Sequence, residues 1–161
     1  MDFTEKDFKQ CLGSFVTGVT IVTTIDASFE PQGVTISSFS SLSLEPQMVT
    51  FNLCKASCLH SKLLNSDGFA VNILSSKQFA LSQKFSESSS DRWNGIKYEL
   101  GQHGCPILNG VSAFIECLTD NIYDGGDHSI ITGKVINLQL AEEAEPLVYY
   151  KGNYFSLGEK L

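Results

Sequence analysis

The chain has 161 residues, 42% hydrophobic and 18% charged, with a formal net charge of −7 and a pI near 4.8. That length suits a single domain spanning 1–161 with a real core, and the charge balance excludes a basic nucleic-acid footprint: Arg92 is the only arginine and the lysines are scattered. No apolar run reaches membrane-spanning length and the N-terminus, Met-Asp-Phe-Thr-Glu-Lys, has no signal-peptide shape, so a cytoplasmic protein without a nucleic-acid or membrane partner is expected.

Thr4 is placed as the N-cap of a first helix, with Asp7 three residues on in a capping-box arrangement. Phe3 and Phe8 are spaced for a hydrophobic staple, and Phe8, Cys11, Leu12 and Phe15 form one apolar face at i, i+3, i+4 and i+7. Gly13 weakens the last turn and Gly18 closes the segment. The alternating β-branched run Val19–Thr24 is a strand, and the connection 26–33, with Pro31, returns it as a hairpin.

The next stretch, Gly33 to Leu44, starts as a strand and then carries Ser37, Ser38, Ser40, Ser41 and Ser43 with Phe39, Leu42 and Leu44 among them. Hydroxyls and free backbone N–H groups at a strand end suit an anionic, partly aromatic ligand; a Ser-rich turn without chemistry fits the local sequence as well.

Met48–Leu53 is another strand. A short helix near Leu59–Asn65 follows Ser57 and ends at Gly68, and Phe69–Leu74 is extended again. Ser75 with Gln78 makes a second capping box, opening a helix to about Phe85. Residues 86–95 read as a polar surface loop holding the lone Arg92 and the lone Trp93. Irregular chain runs to Gly110, then a strand spans Val111–Leu118 and a Gly125-Gly126 turn leads into a long strand, His128–Leu140. After an acidic loop ending at Pro146, Leu147–Phe155 has the aromatic density of a closing strand.

Five dispersed cysteines (Cys11, Cys54, Cys58, Cys105, Cys117) read as reduced thiols, mostly small core residues. Cys54-x-x-x-Cys58 with His60 lacks a second pair to complete a zinc site. Many strands, short connections and few helices predict a mainly β chain, an antiparallel closed or nearly closed barrel. No Gly-x-Gly-x-x-Gly follows a strand, so a Rossmann dinucleotide site is disfavoured.

In order along the chain, Thr17-Gly18-Val19-Thr20-Ile21-Val22-Thr23-Thr24, Gly33-Val34-Thr35-Ile36-Ser37-Ser38-Phe39, Ser41-Leu42-Ser43-Leu44, Phe69-Ala70-Val71-Asn72-Ile73-Leu74, Asp91-Arg92-Trp93, Tyr123-Asp124-Gly125-Gly126-Asp127-His128 and Gly133-Lys134-Val135 precede the closing run Pro146 to Tyr154. Together they resemble the flavin reductase-like family, the FMN-binding split-barrel proteins that supply reduced flavin to two-component monooxygenases. Two departures are Trp93 where Phe is commoner and Lys151 where Arg is frequent; the second puts a forked contact there in doubt.

The resemblance implies an antiparallel Greek-key split β-barrel of the FMN-binding type, binding FMN or FAD with NADH or NADPH as co-substrate. It implies a flavin cradle from Gly33, Val34, Thr35, Ile36, Ser37 and Ser38 with Ser41, and a phosphate-facing loop at Asn52, Leu53, Cys54, Lys55 and Ser57. Phe85, Ser86 and Arg92 close the far side, Arg92 as a contact for phosphate or an adenylate tail. Taken alone, His128 is a polar strand start after a turn. The resemblance makes it the positioner of the nicotinamide, with Tyr149 and Tyr154 beside it, and no residue acts as acid or base. The expected function is NAD(P)H:flavin oxidoreduction for a partner monooxygenase, by a homodimer with flavin near the subunit boundary. A flavin-binding electron carrier without pyridine-nucleotide activity and a flavinless interaction module are the alternatives.

Overall fold

The structure, a computed structural model, describes residues 3–89 and 91–160. Helix α1 (Glu5–Leu12) starts with the expected reciprocal cap: Asp7 N donates to Thr4 Oγ1 (3.2 Å) and Thr4 N to Asp7 Oδ2 (2.9 Å). Its apolar face is uncovered. No α1 residue is buried, and Phe8, Leu12 and the following Phe15 are 53%, 58% and 77% exposed.

The first half of the chain then gives β1 (Thr17–Gly18), β2 (Thr20–Ile25), β3 (Pro31–Ile36), β4 (Ser40–Leu44), β5 (Gln47–Cys54), α2 (His60–Leu64) and β6 (Gly68–Ile73). A 3-10 turn (Ser76–Gln78), opened by the Ser75/Gln78 box, feeds α3 (Phe79–Ser86). The second half holds β7 (Tyr98–Leu100), β8 (Pro106–Leu108), β9 (Ala113–Gly125), β10 (His128–Leu140), β11 (Val148–Tyr150) and β12 (Asn153–Phe155).

Several elements differ from the sequence reading, among them the short β1 and edge strand β4, which forms from the Ser-rich run. Strand β3 begins at Pro31, because a proline without N–H is tolerated at the first position of an edge strand. The β7–β8 hairpin lies in the stretch expected to be irregular, its strands too short for alternation to register. Strand β9 runs on past Leu118 to Gly125, paired with β10 across register shifts that break the period. The closing strand splits at Lys151-Gly152, whose φ of +48° and +79° make a tight two-residue hairpin turn.

All strand pairs are antiparallel, and the large sheet has the order β3-β2-β6-β9-β10-β5-β4. Its two edge strands, β3 and β4, are successive in the chain and joined by residues 37–39. Six inter-strand gaps of roughly 4.8 Å put the edges of a flat sheet about 29 Å apart. A three-residue link spans less than about half of that. The sheet therefore curls, but its edge strands β3 and β4 are not paired with each other, so among the described residues the expected barrel is not closed.

Inside the curl, Val22, Phe51, Leu53, Phe69 and Ile131 pack with Leu63 of α2, the Phe51 and Phe69 rings edge to face at 5.1 Å. On the opposite face a second core joins Val19, Ile21, Leu74, Phe85, Leu108 and Leu147. Strand β2 serves both, so its threonines are buried and need acceptors: Thr23 Oγ1 donates to Pro106 O (2.5 Å) and Thr24 Oγ1 to Gly68 O (2.8 Å). The fully buried Glu116 carboxylate accepts from Gln102 N (2.8 Å) and His103 N (2.7 Å), pinning the β7–β8 turn to β9.

The cysteines are less uniformly internal than expected. Cys105 and Cys117 are buried, and burial pushes both thiols up to about 12; Cys54 is half-buried, while Cys11 and Cys58 are exposed.

Gly133 on β10 faces the Phe69 ring, where a Cβ would lie 2.8 Å from Cε1 and 2.9 Å from Cys117 Cβ. Gly133→Ala is expected to destabilise the fold by about 1–3 kcal/mol through overpacking. The check is a lower urea midpoint at unchanged m-value.

Candidate functional site

The three-residue link is also the floor of a groove of about 2100 Å³, far more than the ~300–1,000 Å³ of an ordinary small-molecule pocket. Ser37, Ser38 and Asn52 line one wall, the α1 side chains Lys6, Lys9 and Gln10 another, and Tyr149 a third. Ser38 is committed: its Oγ donates to Asn52 O and accepts from Asn52 N, both at 3.0 Å. It thereby ties the end of β3 to β5 by a side chain. Ser37 is exposed and keeps its hydroxyl for a ligand.

The second part of the site is the turn after β5. Its N–H groups at Lys55, Ser57, Leu59 and His60 are spent on Asp127 O, Cys54 O, Ser57 Oγ and Ser57 O. Those of Ala56 and Cys58 are left over for an anion, with the Lys55 ammonium beside them. Ser57 therefore braces the turn toward α2, whose N-cap Leu59 makes no side-chain cap bond.

The β5–β10 ladder sets His128 opposite Cys54. His128 Nδ1 lies 2.7 Å from Asp127 Oδ1, and Lys55 Nζ pairs with Asp124 Oδ1. Both carboxyls are held below their ordinary range, Asp127 first by the His128 hydrogen bond and Asp124 first by the Lys55 hydrogen bond. An ionised Asp127 accepts from Nδ1–H, so Nε2 is the imidazole atom left for a ligand.

The remaining expected residues lie elsewhere. Val34 and Ile36 pack against the inner core, and Leu53 is buried within it. Thr35, on the opposite face of β3, donates to Ser82 O (2.7 Å) and points at α3 rather than the groove. Gly33 is small for the protein's own sake: a Cβ there would stand 2.7 Å from Phe85 Cε1. Phe85 is wholly buried and offers a ligand no surface.

Arg92 is a correction as well. Its backbone belongs to a loop, yet the side chain is buried, with Nη1 donating to Gly33 O (2.8 Å), Nε to Ser89 O (3.0 Å) and Nη2 to Cys58 Sγ (3.5 Å). It braces the loop to β3 and the turn. Ser86 is exposed at the end of α3 and bonds back to Gln83 O; Ser41 lies exposed on edge strand β4. Tyr154 meets Ser82 Oγ (2.9 Å) and packs on the second core, so the aromatic C-terminal strands cover their own subunit.

Three participants carried no signal as single residues: α1 as a groove wall, Asp124 as the partner of Lys55, and Asp127 as the partner of His128. Each depends on a pairing that only the ladder or the chain path creates.

The Ser-rich strand end thus lines the groove, whereas Lys55 and His128 come together on the turns beyond β5 and β9 and are not among its lining residues. A family model described as "Flavin reductase like domain" matches residues 12–158, and the chain belongs to that family. It is 35% identical over 147 residues to a flavin reductase of Pseudomonas putida, covering 91% of this chain and 86% of that protein. It is 40% identical over 147 residues to the reductase subunit HsaB of a flavin-dependent monooxygenase from Rhodococcus jostii, covering 91% and 75%. Among solved structures it superposes with a TM-score of 0.91 on the Streptomyces globisporus NADH:FAD oxidoreductase SgcE6 in complex with NAD and FAD fragments, at 30% identity over 98% of each chain. Two further relatives are longer, the chain spanning about half of each, 48% and 49%.

Arg92→Ala strands the buried Gly33 carbonyl and is expected to cost about 1–3 kcal/mol of stability. Arg92→Lys cannot restore the three-way fork. Urea unfolding of both variants checks this, with midpoints below wild type expected for each.

Proposed function

We propose that the chain is an NADH:flavin oxidoreductase that passes reduced FMN or FAD to a flavin-dependent monooxygenase component. It is an oxidoreductase of the flavin reductase family, and the flavin supplies N5 as the hydride acceptor. The observation that carries the reading is the β5–β10 register, which brings the anion-ready turn at Lys55 beside His128.

The residues fit a flavin. Ser37, Asn52 and the backbone at the end of β3 face the polar edge of the ring, and Lys55 with the N–H groups of Ala56 and Cys58 receives the phosphate. Hydride transfer needs two rings in contact and no strong base, so the protein's part is orientation. Nε2 of His128 accepts a hydrogen bond from the nicotinamide carboxamide, and Tyr149 lines the groove. The single arginine is buried as a brace, which leaves no fork for a 2′-phosphate and favours NADH over NADPH.

The curled antiparallel sheet, with its edge strands joined by only three residues, supports a Greek-key split barrel of the FMN-binding type, forming one domain over 1–161. The acidic charge and the absence, among the described residues, of a helix long and apolar enough to cross a membrane support a cytoplasmic location without nucleic-acid or membrane partners. The uncovered stripe of α1, together with Leu138 and Leu140 at 63% and 70% exposure, supports a homodimer that roofs the oversized groove. Light scattering at micromolar concentration is expected to report twice the chain mass, and a monomer overturns that assignment.

Steady-state nicotinamide absorbance with FMN, FAD and riboflavin tests the activity: oxidation with NADH, faster than with NADPH, is expected. Flavin binding without NADH oxidation makes the protein an electron carrier, and colourless protein that retains no flavin makes it an interaction module. His128→Ala is expected to lower kcat/KM for NADH about ten- to a hundredfold, the loss of one oriented hydrogen bond. Flavin affinity stays within a small factor. Released flavin with unchanged NADH dependence assigns His128 to the flavin instead.

A further inference from the structure

The proposed reaction gives no role to the Lys55–Asp124 ion pair. Lys55 lies on the turn after β5 and Asp124 near the end of β9, a residue that β10 separates from it in the sheet. Two contacts join the turns: Lys55 N donates to Asp127 O (2.9 Å), and Lys55 Nζ pairs with Asp124 Oδ1. The side chains are 40% and 79% exposed, so a ligand can reach both. The other charged groups at this end, Asp127 and His128, face each other.

An ammonium can donate to three acceptors, but a carboxylate and a phosphate dianion crowded on the same ammonium repel each other. We propose that Asp124 is a specificity-determining residue. It holds the Lys55 ammonium in the flavin-free protein and yields it when a flavin phosphate arrives. The proposal rests on the reading of Lys55 as a phosphate contact. Riboflavin, with no phosphate, leaves the pair intact, whereas FMN must break it. Asp124 therefore narrows the advantage of phosphorylated flavins over riboflavin. An exposed pair breaks at small cost, so the displacement tunes affinity without blocking binding. The backbone bond from Lys55 N to Asp127 O is independent of Nζ and keeps His128 in register during the exchange.

The experiment is titration of the intact protein with FMN and with riboflavin, followed by flavin fluorescence, for wild type, Asp124→Asn, Lys55→Ala and the double variant. At low ionic strength Asp124→Asn is expected to tighten FMN about two- to fivefold and leave riboflavin unchanged. The gain should shrink in molar salt and vanish in the Lys55→Ala background. An unchanged FMN affinity in Asp124→Asn, with Lys55→Ala clearly weakened, overturns the proposal while the phosphate assignment stands. The same tightening with or without Lys55 means plain repulsion by Asp124 and overturns it too. If Lys55→Ala leaves FMN affinity unaltered, the phosphate assignment falls and the proposal falls with it.

Discussion

Residues 37–39 must join the two edges of a seven-stranded sheet, and much of the architecture follows from that constraint. The link is too short for any flat arrangement, so the sheet curls around the Phe51–Phe69 core while its edges stay unpaired. Where β3 and β5 approach there is no ladder of main-chain bonds. The Ser38 hydroxyl takes its place, satisfying both the N–H and the C=O of Asn52. An apolar side chain there would leave both groups to water and the two strands without this tie. The contact between the end of β3 and β5 is thus polar, local and open to one side. That side is the groove.

The need to bury β2 on both faces explains the polar interior. Between two cores it carries Thr20, Thr23 and Thr24 beside Ile21 and Val22, and each buried hydroxyl finds a carbonyl on another strand. Asn72 completes the set, accepting from Leu108 N (2.8 Å) and donating to Ile21 O (3.2 Å) and Thr23 Oγ1 (3.0 Å). These bonds fix β8 across β2 and β6 and give the second core a rigid floor. Phe85 and Trp93 then fill it edge to face at 4.9 Å, using the space that Gly33 leaves.

How much of this was legible in the sequence depended on the distance over which each signal acts. Capping at Thr4 and Ser75 and the start of β10 at His128 are local and appeared where expected. The β7–β8 hairpin was missed because three-residue strands held by a buried Glu116 carry no period. In the site, only the hydroxyl-rich strand end was readable as ligand chemistry from residue types. Lys55, His128, Gly33, Thr35, Phe85 and Arg92 were expected there from the family resemblance alone. Sheet geometry turns Thr35 toward α3 and fills the space over Gly33 with Phe85. Resemblance supplies a position's neighbourhood, but only the path of the chain decides which face it presents.

The electrostatics of the site match what a supplier of reduced flavin needs. The protein carries a formal net charge of −7, and near the anion turn Asp124 and Asp127 stand within reach of the one lysine. On the proposed reading, a phosphate dianion entering this field would be attracted by one exposed ammonium and two free N–H groups and repelled by the acidic surroundings. An exposed ion pair contributes about 0–1 kcal/mol, so on that reading this end would grip weakly. Binding would then lean on the ring. A tighter cradle, with a buried arginine fork on the phosphate, would keep the product from the partner that consumes it. In this chain the only arginine is spent instead on holding the fold.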